Sequence, residues 1–407
     1  MKRLFLLLSL CLLCACSQNA PSEAPVPTES SAPAIDVTPL LGKKVQVTET
    51  TEAYRLQDGE LLPAGSFPAG ALLDLSQEAQ GDKIALRDSD LLVSGAAVSD
   101  SGRYYRIVNH LLPQPLSLTT AESYTLEDEK GHAQYQGNGE AVYDVYLLPA
   151  EEDPRYGVLF QNRLLYLPES EVTATSEVSR SEEAGEDLPV LMYHFFYDAA
   201  ESSPDDGNYL EKEEFREQLQ YLQDNGYAAL TMKETLYFLQ GRALIPEKSV
   251  TITIDDGDPS VHTYAYPLLK EYGTNATLFL ICGWQPAEMP WELWEMREAG
   301  IEMQSHGFLT HQGGCSYGHG GLLTCMDFDE GVEDTIRSFE YCDGGYVYCY
   351  PFGDVNEHAR SIIETAGAKM AYTTENGKVA PGMDLLTLPR VRISGGEGLE
   401  AFAAKIR

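Results

Sequence analysis

The sequence predicts a multidomain protein, with small all-β modules toward the N-terminus and a C-terminal α/β unit, and three observations carry that prediction. From residue 188 onward, strand patterns alternate with helical ones. Between about residues 45 and 172, short apolar runs such as VQVTET, YYRIVN and GVLFQNRLLYLP stand between glycine and polar turns, with little helical periodicity. Two polar stretches without apolar periodicity, 16–36 and 176–187, separate these regions from the N-terminus and from each other.

The chain opens with MKRLFLLLSLCLLCAC, two basic residues followed by an apolar run too short to span a bilayer, which reads as a signal peptide over 1–15. Leu13-Cys14-Ala15-Cys16 resembles the lipobox of bacterial lipoproteins, which implies cleavage before Cys16 and a lipid on its sulfur. An ordinary secretory signal is the alternative. The expectation is an exported, membrane-anchored lipoprotein, on the outer face of the cytoplasmic membrane or in the cell envelope, that touches the membrane only through Cys16. Residues 16–36, rich in Pro, Ser, Ala and Glu, form a disordered tether. Residues 37–110 and 111–175 read as two β-rich modules, each with an early tyrosine and a later apolar pair. They resemble bacterial SH3-like modules, which implies either cell-wall contact or a spacer role. The linker 176–187 leads into a catalytic unit over 188–407.

A net charge of −35 argues against nucleic acid and anionic lipid surfaces as partners. Five cysteines follow Cys16, namely Cys282, Cys315, Cys325, Cys342 and Cys349, so oxidation leaves at least one thiol unpaired. Cys315 and Cys325 flank a glycine-rich loop and are the expected bridge; five reduced thiols are the alternative.

In the C-terminal unit PVLMYH is a strand, and EKEEFREQLQYLQDNG places Phe215, Leu219 and Leu222 on one helical face before Gly226. AALTM, SVTITID, TNATLFLIC, IEMQSH, YVYCYPFG, KMAYTT and LLTLPRVRIS follow as strands with helices between them and one at the end. Repeated βα units imply a parallel sheet, and about 220 residues favour a small closed barrel.

Chemistry concentrates at the predicted strand ends. In SVTITIDDGDPSVH, Val250, Ile252 and Ile254 alternate with threonines until Asp255 and Asp256 arrive together. Asp-Asp-Gly can be a plain turn, or a site at the carboxyl end of a strand. His194, His306 and His311 fall at other strand ends, and parallel strands bring such ends to one rim. Two imidazoles and a carboxylate make an open three-ligand zinc site, with the neighbouring carboxylate free to take a proton. The spacing from His306 to His311 is not that of one helical face, so the loop HGFLTHQGGCSYGHGG must bend to deliver both.

Residues 188–407 resemble the polysaccharide deacetylases, carbohydrate esterase family 4, a divergent (β/α)7 barrel. Thr253-Ile254-Asp255-Asp256-Gly257 matches the first family motif, which implies Asp255 as catalytic base and Asp256 as metal ligand beside His306 and His311. The spacing in Ser305-His306-Gly307-Phe308-Leu309-Thr310-His311, with Tyr193-His194, resembles the branch of exported poly-N-acetylglucosamine deacetylases. By that likeness His194 is a general acid or substrate contact. The third motif is Cys349-Tyr350-Pro351-Phe352-Gly353, without its arginine; Phe352 matches the position whose backbone N–H holds the oxyanion. The arginine's work passes to Arg390 or Arg392 of LPRVRIS. A Leu-x-His motif near the C-terminus is missing. Aromatic faces suit pyranose rings, so Tyr193, Tyr317, Trp284 and Trp291 are groove candidates; Tyr193, Tyr350 and Trp284 are the expected substrate contacts.

The resemblance implies Zn2+-dependent hydrolysis of N-acetyl groups on an extracellular hexosamine polymer, poly-N-acetylglucosamine or peptidoglycan, with release of acetate. The alternatives are an inactive glycan-binding lipoprotein and an O-acetyl polysaccharide esterase.

Overall fold

The computed structural model describes residues 36–101, 109–181 and 183–407. The signal segment 1–15, Cys16 and the tether as far as residue 35 lie outside the described residues.

Between Lys44 and Glu177 the chain forms one 14-stranded antiparallel sheet. Its alternation is that of a sheet with one buried face: Val45 and Val47 point in, Lys44 and Gln46 do not. The two runs of strands meet where Gln136 pairs with Ser66 and Gly137 with Gly65. Phe67 of the first run lies 5.4 Å from the Tyr135 ring of the second, which stacks on Phe160 at 5.3 Å. The stretches expected as two modules therefore share one hydrophobic core.

The C-terminal region is a closed ring of seven parallel strands: β1 (Val190–Tyr193), β2 (Ser249–Ile254), β3 (Thr277–Leu280), β4 (Glu302–Ser305), β5 (Val347–Cys349), β6 (Met370–Asn376) and β7 (Leu388–Arg392). Each strand pairs with its sequence neighbours, and Leu191 of β1 closes the ring on Val391 of β7. The short apolar strands are buried on both faces, as a barrel wrapped by helices requires. Val250, Ile252 and Ile254 pack outward with Phe215 and Leu219 of α1 (Lys212–Asp224). Thr253, Phe279, Tyr372 and Arg390 meet inside.

AALTM departs from expectation. Only Ala228 and Ala229 pair with β2, outside the ring. Thr231 and Glu234 then form a capping box that starts α2 (Met232–Leu239). This helix closes the floor of the barrel, where the Met232 N–H donates to Glu302 at the start of β4. The β-rich region docks at the same end. Leu111, Leu147 and Tyr166 share a core with α2, the Tyr166 and Tyr237 hydroxyls are 2.7 Å apart, and Arg242 donates to the Leu148 carbonyl and to Asp153. The carboxyl ends of the strands remain as the mouth.

Candidate active site and metal centre

Strand parity builds the first half of the site. Thr253 faces the lumen, so Asp255, two residues on, does too, and it is buried. Asp256 would point away from the lumen in a continued strand, but its backbone turns left-handed, with φ of 73°. That conformation is unfavourable for a side chain other than glycine and brings both carboxylates to the mouth.

Arg390 enters from β7 and holds Asp255 from below. Its Nη1 and Nη2 donate to the two carboxylate oxygens, each at 2.7 Å. Nη1 also reaches Thr253 Oγ1 at 3.1 Å, Nε the Thr373 carbonyl at 3.1 Å, and Nη2 the Cys349 sulfur at 3.1 Å. The five N–H groups of the guanidinium thus match five acceptors, which a fully buried cation needs. Burial by itself would push the Asp255 carboxyl up; the charge and hydrogen bonds of Arg390 outweigh it and hold the group far below the usual carboxylate range. Arg392, the other candidate, is exposed and donates to Asn208.

Asp256, His306 and His311 converge opposite. Asp256 Oδ1 lies 3.4 Å from His306 Nε2 and 3.7 Å from His311 Nε2. His306 Nδ1 is 2.7 Å from the Cys349 carbonyl, an acceptor only, so this nitrogen carries the proton and turns the other toward Asp256. Burial pushes the His306 imidazole toward neutrality, yet Cys349, Asp256 and Asp255 together leave its pKa well raised. The three donor atoms lie within 4.8 Å of one another, and a carboxylate oxygen with two imidazole nitrogens is a donor set suited to a borderline divalent ion such as zinc.

The histidine loop is held by a residue that the sequence reading missed. Asp334 lies on α5 (Phe328–Tyr341), which follows α3 (Tyr266–Tyr272) and α4 (Trp291–Glu298), and accepts from the Phe308 N–H at 2.9 Å, the Leu309 N–H at 2.7 Å and the Thr310 hydroxyl at 3.2 Å. Gly307 makes the bend possible with φ of 85°; a Cβ there would fall 2.0 Å from Thr310 Oγ1. No local pattern marks Asp334, because its partners are about two dozen residues earlier.

His194, at the end of β1, brings Nε2 to 4.0 Å from Asp255 Oδ2, and burial pulls its pKa down. The Phe352 ring lies 4.5 Å from that of His311, and its backbone is also left-handed, with φ of 61°. Trp284 is 64% exposed and stands edge-on to His311 at 5.5 Å, beside the mouth.

Similarity to known proteins follows this geometry. The family model described as polysaccharide deacetylase matches residues 244–371. YxkH of Bacillus subtilis, assigned by its name to the polysaccharide deacetylases, is 34% identical over 228 residues, which cover 54% of this chain and 76% of that protein. The chain belongs to the polysaccharide deacetylase family. This deacetylase is thus an enzyme of the hydrolase class, acting on amide bonds. A poly-beta-1,6-N-acetyl-D-glucosamine N-deacetylase of Staphylococcus aureus is 29% identical over 208 residues, 47% of this chain and 71% of that protein. Among solved structures, the Streptococcus pyogenes deacetylase PplD in complex with acetate aligns at 26% identity with a TM-score of 0.48, covering 54% of this chain and 98% of that one.

Two expected substrate contacts of the deacetylase are corrected. Tyr193 is 1% exposed, packs on Phe196 and Phe215, and donates its hydroxyl to Gln218 of α1. It sits one residue before His194 and so faces the helices instead of the lumen. Tyr350 is fully buried among Tyr348, Ala359 and Ile362, and its hydroxyl meets no hydrogen-bond partner among the described residues. Neither can touch a polymer. Cys315 and Cys325 are joined in a disulfide, while Cys282, Cys342 and Cys349 are buried free thiols. Tyr317 and Trp291 are exposed.

Proposed function

We propose that this deacetylase removes N-acetyl groups from an extracellular hexosamine polymer and releases acetate. The observation that carries the reading is the division of labour between adjacent acids: Asp255 locked on Arg390, Asp256 grouped with His306 and His311. A divalent ion, Zn2+ by the donor set, would be held by Asp256, His306 and His311, and would supply a polarised acetyl carbonyl and a more acidic water. Asp255, kept ionised by Arg390, accepts the proton of the attacking water. The Phe352 backbone N–H donates to the oxygen on which negative charge develops. His194, at the rim, contacts the departing amine, which takes up the proton that Asp255 accepted. Trp284 offers a flat apolar face to a sugar ring beside His311. Arg390 meets the base although the third motif lacks its arginine, which supports an active enzyme over the inactive glycan-binding alternative.

Export rests on the N-terminal sequence, and so does a lipid anchor on Cys16. Among the described residues no helix is long and apolar enough to cross a membrane. The β-rich region, docked at the floor, would act as a spacer or as a contact to cell wall.

Acetate release by protein beginning after Cys16 tests the reading, on N-acetylglucosamine oligomers, peptidoglycan and acetylated xylan, with zinc and with chelator. Chelator-sensitive release from an N-acetylated polymer is expected. Release from xylan alone would make the enzyme an O-acetyl esterase, and no release despite tightly bound metal would make it a binding protein.

A further inference from the structure

We propose that Cys282 and Cys342 are a second disulfide site, closed by thiol–disulfide exchange with a disulfide-bearing oxidant. Their sulfurs lie 3.8 Å apart in the hydrophobic core although the residues are separated by 60 positions. Cys282 opens the turn Cys282–Trp284 behind the histidine loop, and Cys342 caps the C-terminal end of α5. Both side chains are already apposed, so closing the bond calls for side-chain rotation and a small approach of two adjacent elements. Cys315 and Cys325 already form a disulfide in this chain, and the exported setting read from the N-terminal sequence is one in which thiols are oxidised.

The third free thiol does not compete. Cys349 sits in the lumen against Arg390 and Asp255, with its sulfur 3.1 Å from Arg390 Nη2. Oxidation therefore leaves Cys349 as the odd cysteine.

Access comes through the end of α5. Cys342 is 7% exposed against 0% for Cys282, and it is followed by exposed Asp343 and Gly344, where the chain turns left-handed. The Cys342 thiolate attacks a sulfur of the oxidant, here oxidised glutathione, and one glutathione thiolate leaves. Cys282 then attacks the Cys342 side of the mixed disulfide and displaces the second. One disulfide forms in the protein as one is reduced, and the two thiol protons pass to the two glutathione thiolates.

The bond would join two elements that already grip the histidine loop from either side. The Cys282 N–H donates to the Gly307 carbonyl at 3.0 Å and the Gly283 N–H to the Phe308 carbonyl at 2.9 Å, while α5 holds the same loop through Asp334. Closure across 60 residues also restricts the unfolded chain.

The test is peptide mapping of the full chain after incubation with oxidised glutathione until Cys315–Cys325 is closed, with alkylation under denaturing conditions. A linked Cys282–Cys342 peptide, 2 Da lighter than the reduced pair, is expected, with Cys349 alkylated. Oxidised protein should melt several degrees above protein in which only this bond has been reduced, and Cys282→Ser and Cys342→Ser should each abolish that gap. Alkylated Cys282 and Cys342 in protein whose Cys315–Cys325 bond is closed would overturn the proposal, as would either cysteine linked to Cys349.

Discussion

The two ends of the barrel each withdraw a carboxylate from water, Asp255 fully and Glu302 in part, and they treat it in opposite ways. At the mouth, Asp255 sits on the Arg390 guanidinium, which holds it ionised. At the floor, Glu302 accepts from the Met232 N–H at 2.6 Å and the Thr277 hydroxyl at 3.3 Å, but burial, with Glu234 and Glu129 adding to it, pushes its pKa up to about 7. Desolvation raises both carboxyls, and the charge that faces each one decides its state. The mouth is built to keep a negative charge available, and the floor is built to close a barrel under the β-rich region.

The contrast can be broken from the mouth first. Asp255→Asn should lower turnover by at least about a thousandfold while zinc stoichiometry is retained, because proton acceptance is lost and the ligands are not. Loss of the metal as well, read by elemental analysis, would end the assignment of separate roles to the two acids. Arg390→Leu should destabilise the protein by about 3–5 kcal/mol in urea unfolding, since it strands a buried carboxylate. A cost below about 1 kcal/mol would mean that water or another cation reaches Asp255 in its place.

The floor gives the next effect. The Glu302 pKa is raised from 4.5 to about 7 in the folded state, so the folded chain holds a proton there that the unfolded chain loses. Its stabilising contribution is complete below pH 4.5 and is lost as pH rises through 7, a swing on the order of 3 kcal/mol. Glu302→Gln keeps a similar shape without the charge. Relative to wild type it should gain stability between pH 5 and 7 and level off above that, with turnover unchanged; a pH-independent difference would place the carboxyl in a more polar setting than its surroundings imply. The smallest effect is expected from Asp334→Asn, which weakens the anchor of the histidine loop. Metal affinity, measured by chelator competition, should fall by about tenfold. An unchanged affinity would show that Gly307 and Thr310 hold the loop unaided.

Much of the barrel was legible because its signals are local. Alternation in Ser249–Ile254 marks a strand, and the apolar face of Phe215, Leu219 and Leu222 marks the helix Lys212–Asp224. Tyr193 and Tyr350 were misread because aromatic chemistry was weighed without strand parity, which turns Tyr193 away from the face that His194 occupies. The shared core of the β-rich region depends on pairs such as Gln136 with Ser66, far apart in the chain and without a sequence signature.

The sequence alone determined which groups could do the chemistry: two acids at a strand end, three histidines at others, and glycines where the loops must bend. Their partners were decided only by tertiary structure. Arg390 and Asp255 are 135 residues apart and meet because β7 closes on β1, which pairs with β2. Asp334 reaches the histidine loop because α5 packs beside β4. A side chain's type is written locally, but the charge it faces depends on which strands become neighbours when the ring closes.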